Sequence, residues 1–588
     1  MQNGKVALEQ FPTVEKINRK EGFAVKKSQP THKVYEFDTF YDGVVKQAER
    51  YGDKDRYVYK RKKQEFHFTY NDMLAHVNYL SSAMNVLGVA GQFAGVTGDT
   101  HPDYVATYIA TTSCGGVIVP LDKEISAEQF TNFVNLCELQ TLVYTASMHK
   151  KMLPLYEQMP TVKYIVCIDF DGEKPEDPRF MTMAEMLEIG KKAYDEGDRT
   201  AANHVVDKDA VCTILFTSGT TGTSKGVMLS QKNLTTSAYD CCAIIDANED
   251  DSLVSVLPIH HAYEFTICQL AAPNIGISMF INDSIKNTLR NFANFKPTGL
   301  ILVPLYVETM QKKIWAEIEK KGKTKLVKTM IPIARKLPRS IRRKIFKDII
   351  DAFGGRLKFI VCGGAPLRSE LINEFDAFGI KVCEGYGITE CSPLISCNPF
   401  NKRKHRSAGL VVNHMEARID KESPEDETGE ITVHGDAVMC GYYKNPEATA
   451  AVMTEDGWFK TGDIGYMDNE DYIYITGRKK NVIITSNGKN VFPEELEEYL
   501  GVSELISEIV VVGRKDEASG EIIITALVFP DYDKFEGKSK EEIQAAIEAE
   551  VDVVNKKLPT FKHIKCVEIR ETEFEKNTSR KIMRYKIK

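Results

Sequence analysis

The chain has 588 residues, with 83 Asp and Glu against 76 Lys and Arg, for a formal net charge of −7. Its 43% hydrophobic and 27% charged content lets it bury large cores and excludes overall disorder, and its mildly acidic balance excludes a whole-molecule nucleic-acid binder. Glycine (39) and proline (22) are near average, and the length suggests about four structural units.

The thirteen cysteines are scattered, with no C-x-x-C. They read as reduced cytosolic thiols, not as a disulfide or zinc framework. Met1 to Lys33 mixes both charge signs and has no continuous apolar core, so it does not read as a signal peptide. The expected location is cytoplasmic.

In chain order, Phe93–Thr97 predicts a strand and Asp103–Thr112 a helix. Tyr104–Leu121 and Phe265–Asn282 are uncharged and long enough to be weighed as membrane spans. Gly115-Gly116 breaks the first, and Pro273 with Gly276 breaks the second. Both therefore read as a buried helix, a turn and a buried strand. Tyr164–Ile168 is another strand, and Ala210–Phe216 a strand leading into a Gly/Thr/Ser loop. Leu357–Cys362, the Gly363–Pro366 turn, helix Ser369–Phe378 and strand Ile380–Cys383 continue the alternation. Such alternation predicts doubly wound α/β layers, with ligands at the C-terminal strand ends.

Lys312–Lys347 interrupts the pattern, with fourteen Lys and Arg against Glu317 and Glu319, a net of +12. Apolar residues such as Ile314, Ile318, Leu326, Val327 and Ile341 are interleaved. The segment fits a solvated helical insertion packed on the domain. It also fits a basic amphipathic patch on anionic lipid. From about Ala417 the texture turns β-rich, with strands Ala417–Ile419, Gly429–His434 and Tyr472–Ile475 and a solvated acidic hairpin loop, Asp420–Glu430. Beyond Gly477, helix Pro493–Leu500, strands Ile509–Val512 and Ile522–Phe529 and helix Lys540–Lys556 suffice for a separate α+β domain.

Four segments carry chemistry. In Thr217-Ser218-Gly219-Thr220-Thr221-Gly222-Thr-Ser-Lys225-Gly226, small residues let backbone N–H groups approach phosphate and the lysine adds a point charge. Because Gly follows Lys225, this is not a Walker A loop. In Glu384-Gly385-Tyr386-Gly387-Ile-Thr389-Glu390, Tyr386 offers a face for a base, Thr389 a phosphate donor and Glu390 an oxygen ligand for a hard cation such as Mg²⁺. Asp463, in Gly457-Trp-Phe-Lys-Thr-Gly-Asp463, can accept from two ribose hydroxyls, and Arg478 can pair with phosphate. The tail Lys576–Lys588 has six cations and no acid. Taken singly, each segment also fits a surface turn or a solvated cation cluster.

The order and spacing of these segments, from about Phe37 to the C-terminus, resemble the AMP-forming acyl-CoA synthetase superfamily. Leu257-Pro-Ile-His-His261-Ala-Tyr-Glu264, Val303–Met310 and the basic insertion look most like its long-chain fatty acid–CoA ligases. The resemblance implies a large N-terminal domain (1–479) of two doubly wound α/β subdomains plus a small β subdomain. A small mobile α+β domain (480–588) would follow. It implies ATP, Mg²⁺ and coenzyme A as cofactor and co-substrates, a fatty acid substrate and no nucleic acid. Thr217–Gly226 would be the phosphate loop, with Thr217 and Glu390 on the metal. Gly364, Ala365 and Pro366 would form the adenine-side turn, Asp463 would hold the ribose, and Arg478 would contact the nucleotide. Lys480 would be the hinge and Lys581 the catalytic lysine. His261 would lie at the acyl pocket, with Phe265 as a tunnel gate. Two departures stand out: Arg580 where the family is usually small, and Thr-Ser before Lys225 where many relatives have Pro. Acceptors or substrates other than CoA and fatty acid (an acyl-carrier protein, an aryl acid) fit the same motifs, as does a non-catalytic binding homologue.

Overall fold

The computed structural model describes residues 27–28, 34–62, 64–217, 224–283, 287–400, 402–404, 406–485, 489–516, 521–576 and 581–587. Two large mixed sheets form its centre. One has eight strands, six of them in a parallel run from Val211–Thr217 through Val117–Leu121, Phe93–Thr97 and Tyr164–Ile168 to Phe180–Thr182. The other has nine. Its parallel middle includes Gly299–Leu302, Phe359–Gly363 and Lys381–Gly387.

Both uncharged stretches fold as the sequence predicts. Helix Pro102–Ser113 is buried along its whole length and is followed by the fully buried strand Val117–Leu121. The second stretch forms the buried π-helix Phe265–Ala271, the short helix Ala272–Asn274 and strand Ser278–Ile281. Burial on every side explains the missing charge. Among the described residues, no helix is long and apolar enough to cross a membrane.

Residues 415–478 form a four-stranded antiparallel sheet in which Asp420 lies opposite Glu430, so the acidic run is a hairpin loop. A small C-terminal domain follows. Strands Ile506–Lys515, Ile522–Pro530 and Cys566–Ile569 carry helices Pro493–Leu500 and Lys540–Asn555 on a separate core containing Leu496, Val528 and Ile547.

The basic segment forms helices Pro304–Lys320, Thr324–Ala334 and Arg339–Ile345. Ile314, Ile318, Val327 and Ala334 are buried against the nine-stranded sheet. Three of its arginines fasten it. Arg339 donates to the Lys358 and Gly379 carbonyls at 2.7 and 2.9 Å, Arg342 pairs with Asp376 at 2.8 Å, and Arg343 donates to the Gly355 carbonyl at 3.1 Å. The solvated insertion packed on the domain is thus the arrangement observed.

Two local expectations are corrected. The strand after Gly379 does not stop at Cys383 but runs to Gly387, because Glu384 and Gly385 stay in register with Cys362 and Gly363. Asp463, for which Gly457–Asp463 predicts a strand–loop junction, is not at a strand end either. It lies within Phe459–Met467, opposite Arg478, where Gly462 takes φ 71° and a bulge follows between Ile464 and Gly465.

Candidate active-site cleft

The cleft opens at the C-terminal ends of Gly299–Leu302, Phe359–Gly363 and Lys381–Gly387, the expected location in a parallel sheet. Packing fixes its floor. A Cβ on Gly363 would stand 3.1 Å from the Tyr263 ring, and Gly364 turns with φ 85°. Gly364, Ala365 and Pro366 are exposed at the rim. Burial pushes the Glu384 carboxyl up to about 7, opposed by the Leu367 backbone and by Arg403.

Tyr386, Asp463 and Arg478 meet on one wall. Tyr386 Oη donates to Asp463 Oδ2 at 2.7 Å, and Arg478 Nε pairs with Oδ1 at 2.7 Å. Asp463 is only 2% exposed. Burial raises its pKa while Arg478, Tyr386 and Lys581 oppose the shift. A carboxylate offers about four acceptor directions, so each oxygen keeps capacity for a ligand hydroxyl.

Lys581 reaches this wall from the C-terminal tail. Its Cε lies 4.0 Å from where a Cβ on Gly364 would stand. The residue retains solvent exposure, yet crowding protein atoms and the nearby Arg478 lower its pKa, with Asp463 opposing. An ammonium that is both crowded and wetted stands in an open cleft, not a sealed pocket. Lys480 lies in the turn Lys479–Asn481 and is exposed. Its pKa is lowered by burial and by Arg478 and Arg584.

On the opposite side, strands Val211–Thr217 and Lys225–Ser230 pair antiparallel, with Thr217 opposite Lys225. Lys225 begins a strand here, so no helix dipole follows the loop. Lys225 Nζ sits 4.7 Å from the Tyr442 ring centre, and Tyr442 Oη donates to Glu390 Oε1 at 2.9 Å. Thr389 and Glu390 form a partly buried 3₁₀ turn. Ser218, Gly219, Thr220, Thr221 and Gly222, and likewise Arg580, lie outside the described residues. The remaining phosphate-loop residues and Glu390 do converge. Sequence reasoning missed Tyr442, which arrives on strand Gly441–Tyr442 by pairing with the strand after Lys225. No local motif marks it.

The cleft continues into an apolar cavity of about 70 Å³ whose walls include Cys241, Ile245, Tyr263, Ile267, Tyr386 and Leu394. A second, small apolar cavity of about 10 Å³, with Ala271, Ile275, Ile301 and Phe359 in its wall, shares Ile245 and Ile267 with the first. Phe265 lines neither. It stacks on Tyr108 at 3.8 Å between ring centres, so the residues between the cavities are Ile245 and Ile267 and not the Phe265 of the gate expectation. His261 is likewise absent from the cavity walls. It packs on His260 at 4.1 Å, and burial, together with the charges of His260 and Lys581, pushes its pKa down to about 3. Its ring is neutral near pH 7.

No group of three or more His, Cys, Asp or Glu among the described residues could hold a metal by itself. That donor set fits Mg²⁺, which keeps several waters and is commonly held by one or two protein oxygens plus substrate phosphates. Glu390, whose Oε1 accepts from Tyr442 at 2.9 Å, and Thr217 would be the residues to supply them.

The family model for AMP-binding enzymes matches residues 44–443, and that for the AMP-binding enzyme C-terminal domain matches 480–588. The chain is 30% identical over 471 residues to the long-chain-fatty-acid–CoA ligase FadD15 of Mycobacterium tuberculosis, covering 77% of this chain and 75% of the relative. It is 26% identical over 549 residues to the long-chain-fatty-acid–[acyl-carrier-protein] ligase AEE15 of Arabidopsis thaliana, covering 81% and 75%. In fold it is similar to the anthranilate CoA ligase AuaEII in complex with anthranoyl-AMP, with a TM-score of 0.74 at 18% identity over 94% and 96% of the two chains. The chain therefore belongs to the AMP-binding, adenylate-forming enzyme family, close to its long-chain fatty acid–CoA ligases.

Proposed function

We propose that the protein activates a medium- to long-chain fatty acid with ATP to acyl-AMP and pyrophosphate, then transfers the acyl group to coenzyme A. The observation that carries this reading is the convergence of Lys581 and the Tyr386–Asp463–Arg478 wall on the mouth of a deep apolar cavity. A cavity so poor in polar groups suits an alkyl chain.

The first half-reaction brings a carboxylate anion to a polyanion, so positioning and charge neutralisation dominate the barrier. Asp463 holds the ribose hydroxyls with oxygens kept in place by Tyr386 and Arg478. Lys225 lies beside the β and γ phosphates. Lys581 sits between the incoming carboxylate and the α-phosphorus, where negative charge crowds most. Bound Mg²⁺ would supply further neutralisation of phosphate charge beside Glu390 and Thr217. In the second half-reaction the CoA thiol adds to the acyl carbonyl and AMP departs. AMP is already a good leaving group, so no side-chain nucleophile is required. The C-terminal domain, 480–588, turns about Lys480 between the halves and withdraws Lys581, a pivot of a few backbone dihedrals.

The relatives include a carrier-protein ligase, an indoleacetate–CoA ligase and fatty acid–CoA ligases, so acceptor and acid are tested together. Pyrophosphate release is measured with a panel of acids from short to long chain, and thioester formation with CoA against holo-carrier protein. Long-chain acids with CoA should give the highest turnover. Preference for aryl acids or for the carrier protein would reject the reading.

A further inference from the structure

We infer that the outer face of the basic insertion, centred on helix Thr324–Ala334, docks the protein on anionic phospholipid. The inner face is committed: Val327 and Ala334 are buried in the sheet-facing core. The outer face is not a plain solvated surface. Leu326 and Ile333, two helical turns apart, are 60% and 49% exposed, and Ile341 and Ile345, one turn apart on the next helix, are 43% and 39% exposed. Lys325, Lys336 and Lys344 are exposed among them. Aliphatic side chains set between lysines fit an interface that is apolar a few ångströms below a layer of negative charge. Eleven of the segment's fourteen cations are exposed. The other three, Arg339, Arg342 and Arg343, bind the domain, which makes the face a fixed platform. The rest of the chain carries −19 against this segment's +12, so a negative surface would orient the molecule with the insertion facing it. Helix Pro304–Lys320 begins one residue after Val303, whose Cγ1 lies 3.7 Å from the Cβ position of Gly364. The helix that leads to the docking face thus starts beside the mouth of the cleft.

The test is co-sedimentation of the full chain, without ATP or acid, with extruded vesicles. Phosphatidylcholine alone is compared with phosphatidylcholine containing phosphatidylglycerol. Binding should require phosphatidylglycerol and weaken as salt rises from 50 to 300 mM. Each surface lysine is worth roughly fivefold, so Lys325→Glu/Lys336→Glu/Lys344→Glu should lower vesicle affinity at least tenfold. Leu326→Ser/Ile333→Ser should also weaken it, more visibly at the higher salt. Activity of each variant on a short, water-soluble acid should match wild type, showing that the fold is intact. Absence of binding to the anionic vesicles at 50 mM salt would overturn the inference. So would wild-type affinity in the charge-reversed variant, or stronger retention by double-stranded RNA than by the vesicles. Because the readout needs no catalysis, it succeeds or fails independently of the proposed reaction.

Discussion

Lys581→Ala should uncouple the two half-reactions. The lysine stands beside Gly364 with Arg478 and Asp463 as its charged neighbours. Arg478 cannot take over, because its Nε is held on Asp463 at 2.7 Å. Lys225 Nζ rests 4.7 Å from the Tyr442 ring centre. Removal of the ammonium should cost on the order of 10²–10³-fold in adenylation, the scale for losing one preorganised charge-stabilising group. Acid-dependent ATP–pyrophosphate exchange reads that step alone. Thioester formation from supplied acyl-adenylate reads the other and should change less than about threefold, since Lys581 is withdrawn there in the proposed mechanism. The lowered pKa adds a second signature. The reactive ammonium should be lost with rising pH before an ordinary lysine would lose it, so adenylation should show an alkaline limb that acyl transfer lacks. Equal loss in both half-reactions, or exchange within tenfold of wild type, would refute the role given to Lys581.

Ile267→Ala should join the two cavities and move the preferred acid toward longer chains by about three carbons, the number removed from the wall, at a stability cost of about 2–5 kcal/mol. Kinetics across saturated acids and thermal melts measure both. Tyr442→Phe removes the donor to Glu390 and should raise the apparent KM for Mg·ATP by about tenfold or more, the scale of one hydrogen bond to a charged group, with the acid KM unchanged. Lys480→Pro should arrest thioester formation while sparing pyrophosphate exchange. His414 Nδ1 lies 2.8 Å from Asp240 Oδ1, which raises the imidazole pKa against burial, with Asp436 assisting and Lys27 opposing. A raised folded-state pKa means this stabilisation is complete below pH about 6.5 and is lost as pH rises through the folded value. With the side chain 36% exposed, the contribution should be about 0.5–1 kcal/mol after screening. Denaturant unfolding at pH 6 and 8 should show it in wild type and not in His414→Ala.

Periodicity and punctuation made much of the fold legible. Helix Ser369–Phe378 and helix Pro493–Leu500 have the predicted ends, because Gly379 stops the first with φ 85° and Pro493 opens the second. Strand ends read less well. Glu384–Gly387 is rich in glycine, so it reads as a turn. Pairing with Phe359–Gly363 on one side and Leu394–Cys397 on the other nevertheless holds it extended. Backbone hydrogen bonding across a sheet overrides local preference there, and a single sequence carries no record of the partner strands. The same limit hid Tyr442, Ile245 and Ile267. They belong to the candidate site only because distant segments pack against it. The basic segment was legible in charge but not in direction. Only the structure separates three fastening arginines from the lysines that face outward.

The phosphate side of the cleft explains why a lysine must come from so far along the chain. In a strand–loop–helix phosphate site, the helix N-terminus supplies backbone donors and a partial positive charge that stay in place throughout the reaction. Here the residue that closes the loop, Lys225, starts an antiparallel strand, and sheets have only small net dipoles. Positive charge at the α-phosphorus therefore has to come from side chains. The N-terminal wall offers Arg478, already paired with Asp463. The C-terminal tail, with six cations and no acid among its last thirteen residues, offers Lys581. A charge carried by a separate small domain has a property that a helix dipole lacks: it can be removed. Adenylation needs the cation beside the phosphate, and acyl transfer needs room for a thiol on the same face. An open cleft, an ammonium that is crowded yet wetted, and a hinge at Lys480 together would let one site meet both needs in turn.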